Sequence, residues 1–184
     1  MDDHARLREI PFREETVFQG ILIQVSHMQV KLPNGGASLR EVVHHNGGVG
    51  VVPVDAEGNV TLVRQYRIAI DQITLEIPAG KLDTADEDPL LAAHRELEEE
   101  TGLRAGRMIP LTATIPTPGY CNERLSLYLA TGLSQHQAHL DPDEFLRVVK
   151  MPLAEAIRRV MRGELCDAKS ALALLMAERL LSNR

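Results

Sequence analysis

An α/β (α+β) fold is predicted by three observations. Apolar, strand-like runs broken by Gly, Pro, Asn and Asp clusters recur between residues 16 and 80. One helix is marked at both ends over residues 88–102, and two helical segments close the chain after residue 152.

In chain order, residues 16–45 read as VFQGILIQVSHMQVKLPNG followed by ASLREVVHH, and the Pro33-Asn34-Gly35-Gly36 tetrad marks a tight turn between them. This predicts a β-hairpin region after a polar, acidic start. Next, GGVGVVPVDAEGNVTLVRQYR carries two apolar strand runs separated by a turn at residues 55–59, and a third run, ITLEIPAG, ends at Gly80. The loop KLDTADED leads into the helix. Asp88 is suited to its N-cap, Pro89 to its first turn, and Gly102 to the left-handed residue that ends it, with Leu103 able to reach back to Leu97. Beyond it, MIPLTATI, RLSLYLAT and FLRVVKM are strand-like, residues 134–144 form an acidic loop, and LAEAIRRVMRG and AKSALALLMAERLL, the second opened by Asp167, are helical. No internal repeat or low-complexity tract interrupts this order.

The 184 residues suit one domain with a single core, and no second independent fold is expected. With three Tyr, three Phe and no Trp, that core falls to Leu, Val, Ile and Ala, and few rings are left to stack on bases. A formal charge of −6 with scattered Lys and Arg argues against a nucleic-acid partner. The opening MDDHARLREIPFREET predicts neither a signal peptide nor a targeting helix, and no apolar run has the length of a membrane span. Cys121 and Cys166 stand far apart without CxxC spacing, which points to reduced thiols and a cytoplasmic location.

The stretch 93-AHRELEEETGL-103 gathers Glu96, Glu98, Glu99 and Glu100 at the C-terminal end of the helix, where unpaired carbonyls disfavour negative charge. At about 100° per residue, with Glu96 at zero, Glu100 falls near 40° and Glu99 near 300°, whereas Glu98 falls near 200°, on the far side. Leu90, Ala93 and Leu97 lie between about 60° and 120°, so the three clustered acids border the apolar stripe. A solvated acidic face would sit opposite that stripe. Like charges spaced i,i+4 cost a few tenths of a kcal/mol each and the helix dipole adds a similar penalty, which a hard divalent cation with oxygen ligands would relieve.

Read with its flanks, 80-GKLDTADEDPLLAAHRELEEETGL-103 resembles the Nudix box, G-x5-E-x7-R-E-U-x-E-E-x-G-U, where U is aliphatic. Gly80, Glu87, Arg95, Glu96, Leu97, Glu99, Glu100, Gly102 and Leu103 fill its positions. Six residues rather than five separate Gly80 from Glu87; counting back from Arg95 selects Glu87, and counting forward from Gly80 would select Asp86. REVVHHNGGVGVVPV, VRQYR, EIPAGKLD, TPGY, DEFLRV and GELCDAKSALAL further resemble the ADP-ribose pyrophosphatase branch of the Nudix hydrolases.

That resemblance implies an α/β/α sandwich with a mixed central sheet over residues 46–184, preceded by an antiparallel β region over residues 1–45 that serves dimerisation and substrate contacts. It implies Mg²⁺- or Mn²⁺-dependent hydrolysis of ADP-ribose to AMP and ribose 5-phosphate, with Glu96, Glu99, Glu100 and the Ala79 carbonyl as metal ligands. Arg95 would orient a glutamate such as Glu99 or Glu87, and Glu98 would be dispensable. The base that takes the proton from water is Glu144, with Asp143 second, or a box glutamate, Glu96 or Glu99. Arg67, whose planar fork suits phosphate oxygens, and Pro118 of TPGY are expected at the substrate, with Arg40 and Glu41 at its adenine end; Arg64 could replace Arg67. His44 and His45 read as ordinary strand histidines, because neighbours on a strand face opposite ways. The open strand edges of the N-terminal region predict a homodimer. Two other activities compete: hydrolysis of another nucleoside diphosphate derivative, such as a nucleotide sugar of the GDP-mannose kind, and binding of ADP-ribose by a sensing domain without cleavage.

Overall fold

The computed structural model describes residues 3–140 and 144–183, and the chain divides into two compact units. The first comprises Met1–His45 and Thr117–Glu123, the second Asn46–Pro116 and Arg124–Arg184.

In the first unit a short helix, α1 (Asp3–Leu7), precedes three antiparallel strands, β1 (Ile10–Gln19), β2 (Gln24–Lys31) and β3 (Ala37–His44), in the order β1-β2-β3. The β2–β3 turn is the one expected at residues 33–36. The Leu32 N–H donates to the Gly36 carbonyl at 2.8 Å, and the Gly36 N–H to Asn34 Oδ1 at 3.0 Å. The expected two-stranded hairpin is corrected, because β1 begins at Ile10, six residues before Thr16, and the chain reverses again at Gly20, whose N–H donates to the Ile23 carbonyl. All ten residues of β1 are exposed, so no buried face imposes a period of two, and bulges near Pro11 and Val17 break the pattern further. Beside the end of β3 the Thr117–Glu123 segment joins this unit, with the Val43 N–H donating to the Tyr120 carbonyl at 2.7 Å.

The second unit holds two sheets. β4 (Gly48–Pro53), β7 (Ala79–Lys81), β8 (Leu103–Thr114) and β9 (Leu125–Gln135) form one in the order β7-β4-β9-β8, and β5 (Asn59–Arg67), β6 (Gln72–Glu76) and β10 (Leu146–Pro152) the other in the order β10-β5-β6. The first sheet is mixed: β4 runs parallel to β9 and antiparallel to β7. Strand β4 is buried at every residue, as a strand covered on both faces must be. One face of β4 and β9 carries Val49, Val51, Tyr128 and Ala130, which pack with Ala92, Ala93 and Leu97 of α2 (Pro89–Thr101). The other carries Val52, Leu127 and Leu129, which pack with residues of α3 (Leu153–Met161) and α4 (Ala168–Ser182). This is the expected α/β/α arrangement. It fixes α2, with its acids, against β4 and the short β7.

Candidate active site

Helix α2 is set by local chemistry at both ends. Asp88 accepts the Leu90 N–H at 2.8 Å, Pro89 opens the first turn, and Gly102, at φ 68°, closes the last one by donating to the Glu98 carbonyl. The free carbonyls at this end are covered from the segment after β9. The His139 N–H donates to the Glu99 carbonyl at 3.0 Å and the His136 N–H to the Gly102 carbonyl at 2.6 Å, which satisfies groups that would otherwise repel the acids.

The phasing expected for those acids is the one observed. Glu96 and Glu100 are 8% and 3% exposed beside the core, Glu99 lies at its rim, and Glu98 leaves on the other side to pair with Arg104 at 2.7 Å. Arg95 sits among the remaining carboxylates. It donates to Glu96 Oε1 at 2.7 Å, to Glu99 Oε2 at 3.3 Å and to Glu87 Oε1 at 3.1 Å. Glu87, not Asp86, is the loop acid on this fork, and the Asp83 N–H holds its other oxygen at 2.7 Å. Part of the repulsion that a metal was expected to relieve is therefore answered by Arg95 and Arg104. The rest is not, since one guanidinium faces Glu87, Glu96 and Glu99 together.

Strand β7 shapes the other wall. The Ala79 N–H donates to Glu100 Oε2 at 3.1 Å, and a Cβ on Gly80 would stand 2.0 Å from the Glu96 carboxyl carbon, so only glycine lets that carboxylate lie on the backbone. Burial pushes the Glu96 carboxyl up to about 7 against the pull of Arg95, with Glu99 and Glu144 adding to the rise. Burial likewise pushes Glu100 up to about 8, against the Ala79 hydrogen bond and helped by Glu144 and Glu96. The charge of Glu144 thus reaches both buried acids. Asp143 lies outside the described residues.

Arg67, expected at a phosphate or the terminal ribose, is paired with a carboxylate of its own chain. Its Nε and Nη2 donate to the two oxygens of Glu76 at 2.8 and 2.7 Å, and it feels the charge of Glu100. Glu76, 2% exposed, also accepts from Thr74 and Lys169. Burial opposes its ionisation, but Arg67 and Lys169 outweigh that and hold its carboxyl down at about 2. Sequence reasoning missed Glu76 and Lys169; the available signal was a lone acid inside the apolar run ITLEIPAG. Arg64 pairs across the strands with Arg147 and lines a cleft of about 540 Å³ with Tyr66, Phe145 and Glu144.

In the first unit, Arg40 is held by Glu9 at 3.0 and 2.5 Å and by Ser38 at 2.8 Å. Glu41 is exposed, 3.9 Å from His27 Nε2. Pro118 is exposed in a turn closed by the Cys121 N–H on the Thr117 carbonyl at 3.0 Å. His44 pairs with Glu14 at 2.9 Å and His45 with Glu123 at 3.6 Å.

Among the described residues no three metal-binding side chains are already drawn together, because Glu96 and Glu99 rest on Arg95 and Glu100 on a backbone N–H. The donor chemistry nonetheless fits a hard divalent ion. Hard oxygen donors share one side of α2, and the two most buried are kept from ionising by burial and by other acids, a cost that a bound cation removes.

Residues 44–171 match the NUDIX domain model. The chain is 41% identical over 170 residues to ADP-ribose pyrophosphatase of Bacillus subtilis (strain 168), covering 91% of each. It is 38% identical over 168 residues to methanol dehydrogenase activator of Bacillus methanolicus, covering 90% of each. It is also 40% identical over 164 residues to ADP-ribose pyrophosphatase of Mycobacterium tuberculosis (strain ATCC 25618 / H37Rv), covering 88% of this chain and 79% of that one. A crystal structure of an ADP compounds hydrolase shares the fold at TM-score 0.83 and 24% identity, over 96% of both chains.

Proposed function

Because the chain belongs to the NUDIX family, we infer that it is a pyrophosphohydrolase that splits ADP-ribose with water into AMP and ribose 5-phosphate. The observation that carries this reading is the pair of buried acids, Glu96 and Glu100, seated on the β7 backbone within the electrostatic reach of Glu144.

Glu96, Glu99 and Glu100, with the Ala79 carbonyl, would hold Mg²⁺ or Mn²⁺. When bound, such an ion neutralises charge on the phosphoryl oxygens and lowers the pKa of an attacking water. Arg95 fixes the direction of Glu96 and Glu99 through hydrogen bonds that leave their other oxygens free to bind. Glu144 takes the proton from water, and Glu96 or Glu99 is the alternative base. Arg67 meets the bridge or terminal ribose with the edge of its guanidinium turned away from Glu76. Arg40 and Glu41 serve the adenine end and Pro118 contacts the substrate; the supporting features are the exposed Glu41 and Pro118 and the fixed Arg40.

The protein works as a homodimer formed through the first unit. Supporting this, β1 is an edge strand exposed along its whole length, with Ile10, Phe12, Val17 and Phe18 among its open side chains. A monomer by light scattering at micromolar concentration would remove that part. Two free cysteines, Cys121 and Cys166, support a cytoplasmic setting, and among the described residues no helix is long and apolar enough to cross a membrane.

The deciding experiment separates products by anion exchange after incubation with Mg²⁺ and either ADP-ribose or a panel of nucleotide sugars. Release of AMP and ribose 5-phosphate at the highest kcat/KM in the panel is expected. A higher kcat/KM on a nucleotide sugar, or tight ADP-ribose binding without AMP release, would overturn the assignment.

A further inference from the structure

The segment GELCDAKSALAL has no part in the chemistry above, yet the start of α4 that it encodes is bonded to the strand end that precedes the acids. Asp167 caps α4, accepting the Ser170 N–H at 3.1 Å and the Ser170 hydroxyl at 2.5 Å. The same Ser170 Oγ accepts the Ile77 N–H at 2.8 Å. Lys169 donates to Asp167 Oδ2 at 2.9 Å and to Glu76 Oε2. Glu76 and Ile77 are thereby fixed together, directly before Pro78 and the β7 backbone against which Glu96 and Glu100 of α2 lie.

Four donors converge on the Glu76 carboxylate: Arg67 Nε, Arg67 Nη2, Thr74 Oγ1 and Lys169 Nζ. A buried ion cluster of this kind gives little stability over well-packed apolar side chains, so stability alone does not account for it. Its geometric effect is specific. Two of the five guanidinium N–H groups of Arg67 are committed to Glu76, while among the described residues no hydrogen bond occupies Nη1. Arg67 and Glu100 are within electrostatic reach of each other without a direct bond. A guanidinium released from Glu76 would be free to swing toward Glu100 and away from the substrate.

We propose that Glu76, braced by Lys169 and the cap of α4, is a positioning residue that holds Arg67 off Glu100 and turns its free edge to the diphosphate of the substrate. The proposal rests on the hydrolase reading above and adds what directs the arginine. Glu76 touches neither substrate nor metal, so its loss acts through Arg67 and registers in substrate affinity.

Steady-state kinetics on ADP-ribose with saturating Mg²⁺, on variants whose melting curves are measured in parallel, provide the test. Glu76→Gln is expected to raise KM roughly tenfold or more, as Arg67→Met does, since each removes the same charge-assisted contact. The double variant is expected to be no worse than the poorer single one, because both act on one interaction. Glu76→Asp keeps the charge but withdraws it by one methylene; it is expected to fold as wild type and to raise KM several-fold, which keeps the test decisive if Glu76→Gln does not fold. An additive double variant, a wild-type KM for Arg67→Met, or a wild-type KM for a folded Glu76 variant overturns the proposal while wild-type turnover upholds the hydrolase reading. Failure of the wild-type protein to release AMP from ADP-ribose overturns both.

Discussion

Replacing Glu100 by Gln should make the metal-free protein more stable at neutral pH while removing its activity. Glu100 is 3% exposed, and burial, acting with the charges of Glu144 and Glu96, moves its carboxyl from 4.5 to about 8. The folded value is the higher one, so the stability it contributes is complete below about 4.5 and is lost as the pH rises to about 8. Between pH 4.5 and 7 the unfolded chain gives up this proton and the folded chain keeps it. At about 1.4 kcal/mol per pH unit, that interval removes about 3 kcal/mol. A Gln side chain has the shape of the protonated acid, can still accept the Ala79 N–H, and does not titrate. Urea denaturation in EDTA should therefore find variant and wild type alike near pH 4.5 and the variant ahead by about 2–3 kcal/mol at pH 7, or roughly 4–12 °C in Tm. Parallel stability curves for the two proteins across this range would refute the assignment of Glu100 as a neutral, buried acid.

Three further outcomes are expected. Gly80→Ala should lower kcat at least tenfold with little change in Tm, because the new Cβ displaces only the flexible end of Glu96; unchanged kcat would mean that the seat of this carboxylate is irrelevant to catalysis. Glu99→Gln should lower kcat by orders of magnitude, whereas Glu98→Gln, which loses only its exposed partner Arg104, should stay within about twofold, and equal losses would discredit the division of the helix into two faces. Titration of the protein with Mg²⁺ at pH 6.5 should release protons from Glu96 and Glu100, visible in calorimetry as a binding heat that scales with the ionisation enthalpy of the buffer; a heat independent of buffer would contradict the raised values.

The sequence disclosed most where structure is governed by neighbours along the chain. Asp88, Pro89 and Gly102 act within one helical turn of where they stand, so both limits of α2 could be read, and the helical period then separated Glu98 from Glu96, Glu99 and Glu100. Glu87 was recoverable by counting back from Arg95, since it stands just before the N-cap of the same helix, 8 residues earlier. Strand β1 was only half visible, since Pro11, Arg13, Glu14 and Glu15 line an edge strand that the rest of its own chain leaves uncovered, so no internal face selects an alternating pattern. The bond between Lys169 and Glu76 joins residues 93 positions apart, and no local signal encodes it. For that reason the carboxylate that holds Arg67 could not be read from the sequence.

The bond from Ser170 to Ile77 also bears on when the enzyme can first become competent during its own synthesis. The box helix and its strand are finished by residue 103, yet the backbone just ahead of β7 gains its buried hydroxyl partner only when α4 has been made and has docked. Ser170 follows Ile77 by 93 positions, so a growing polypeptide would carry its acids through that stretch of synthesis without the brace that aligns them. Acquisition of activity is thereby tied to the synthesis and docking of α4.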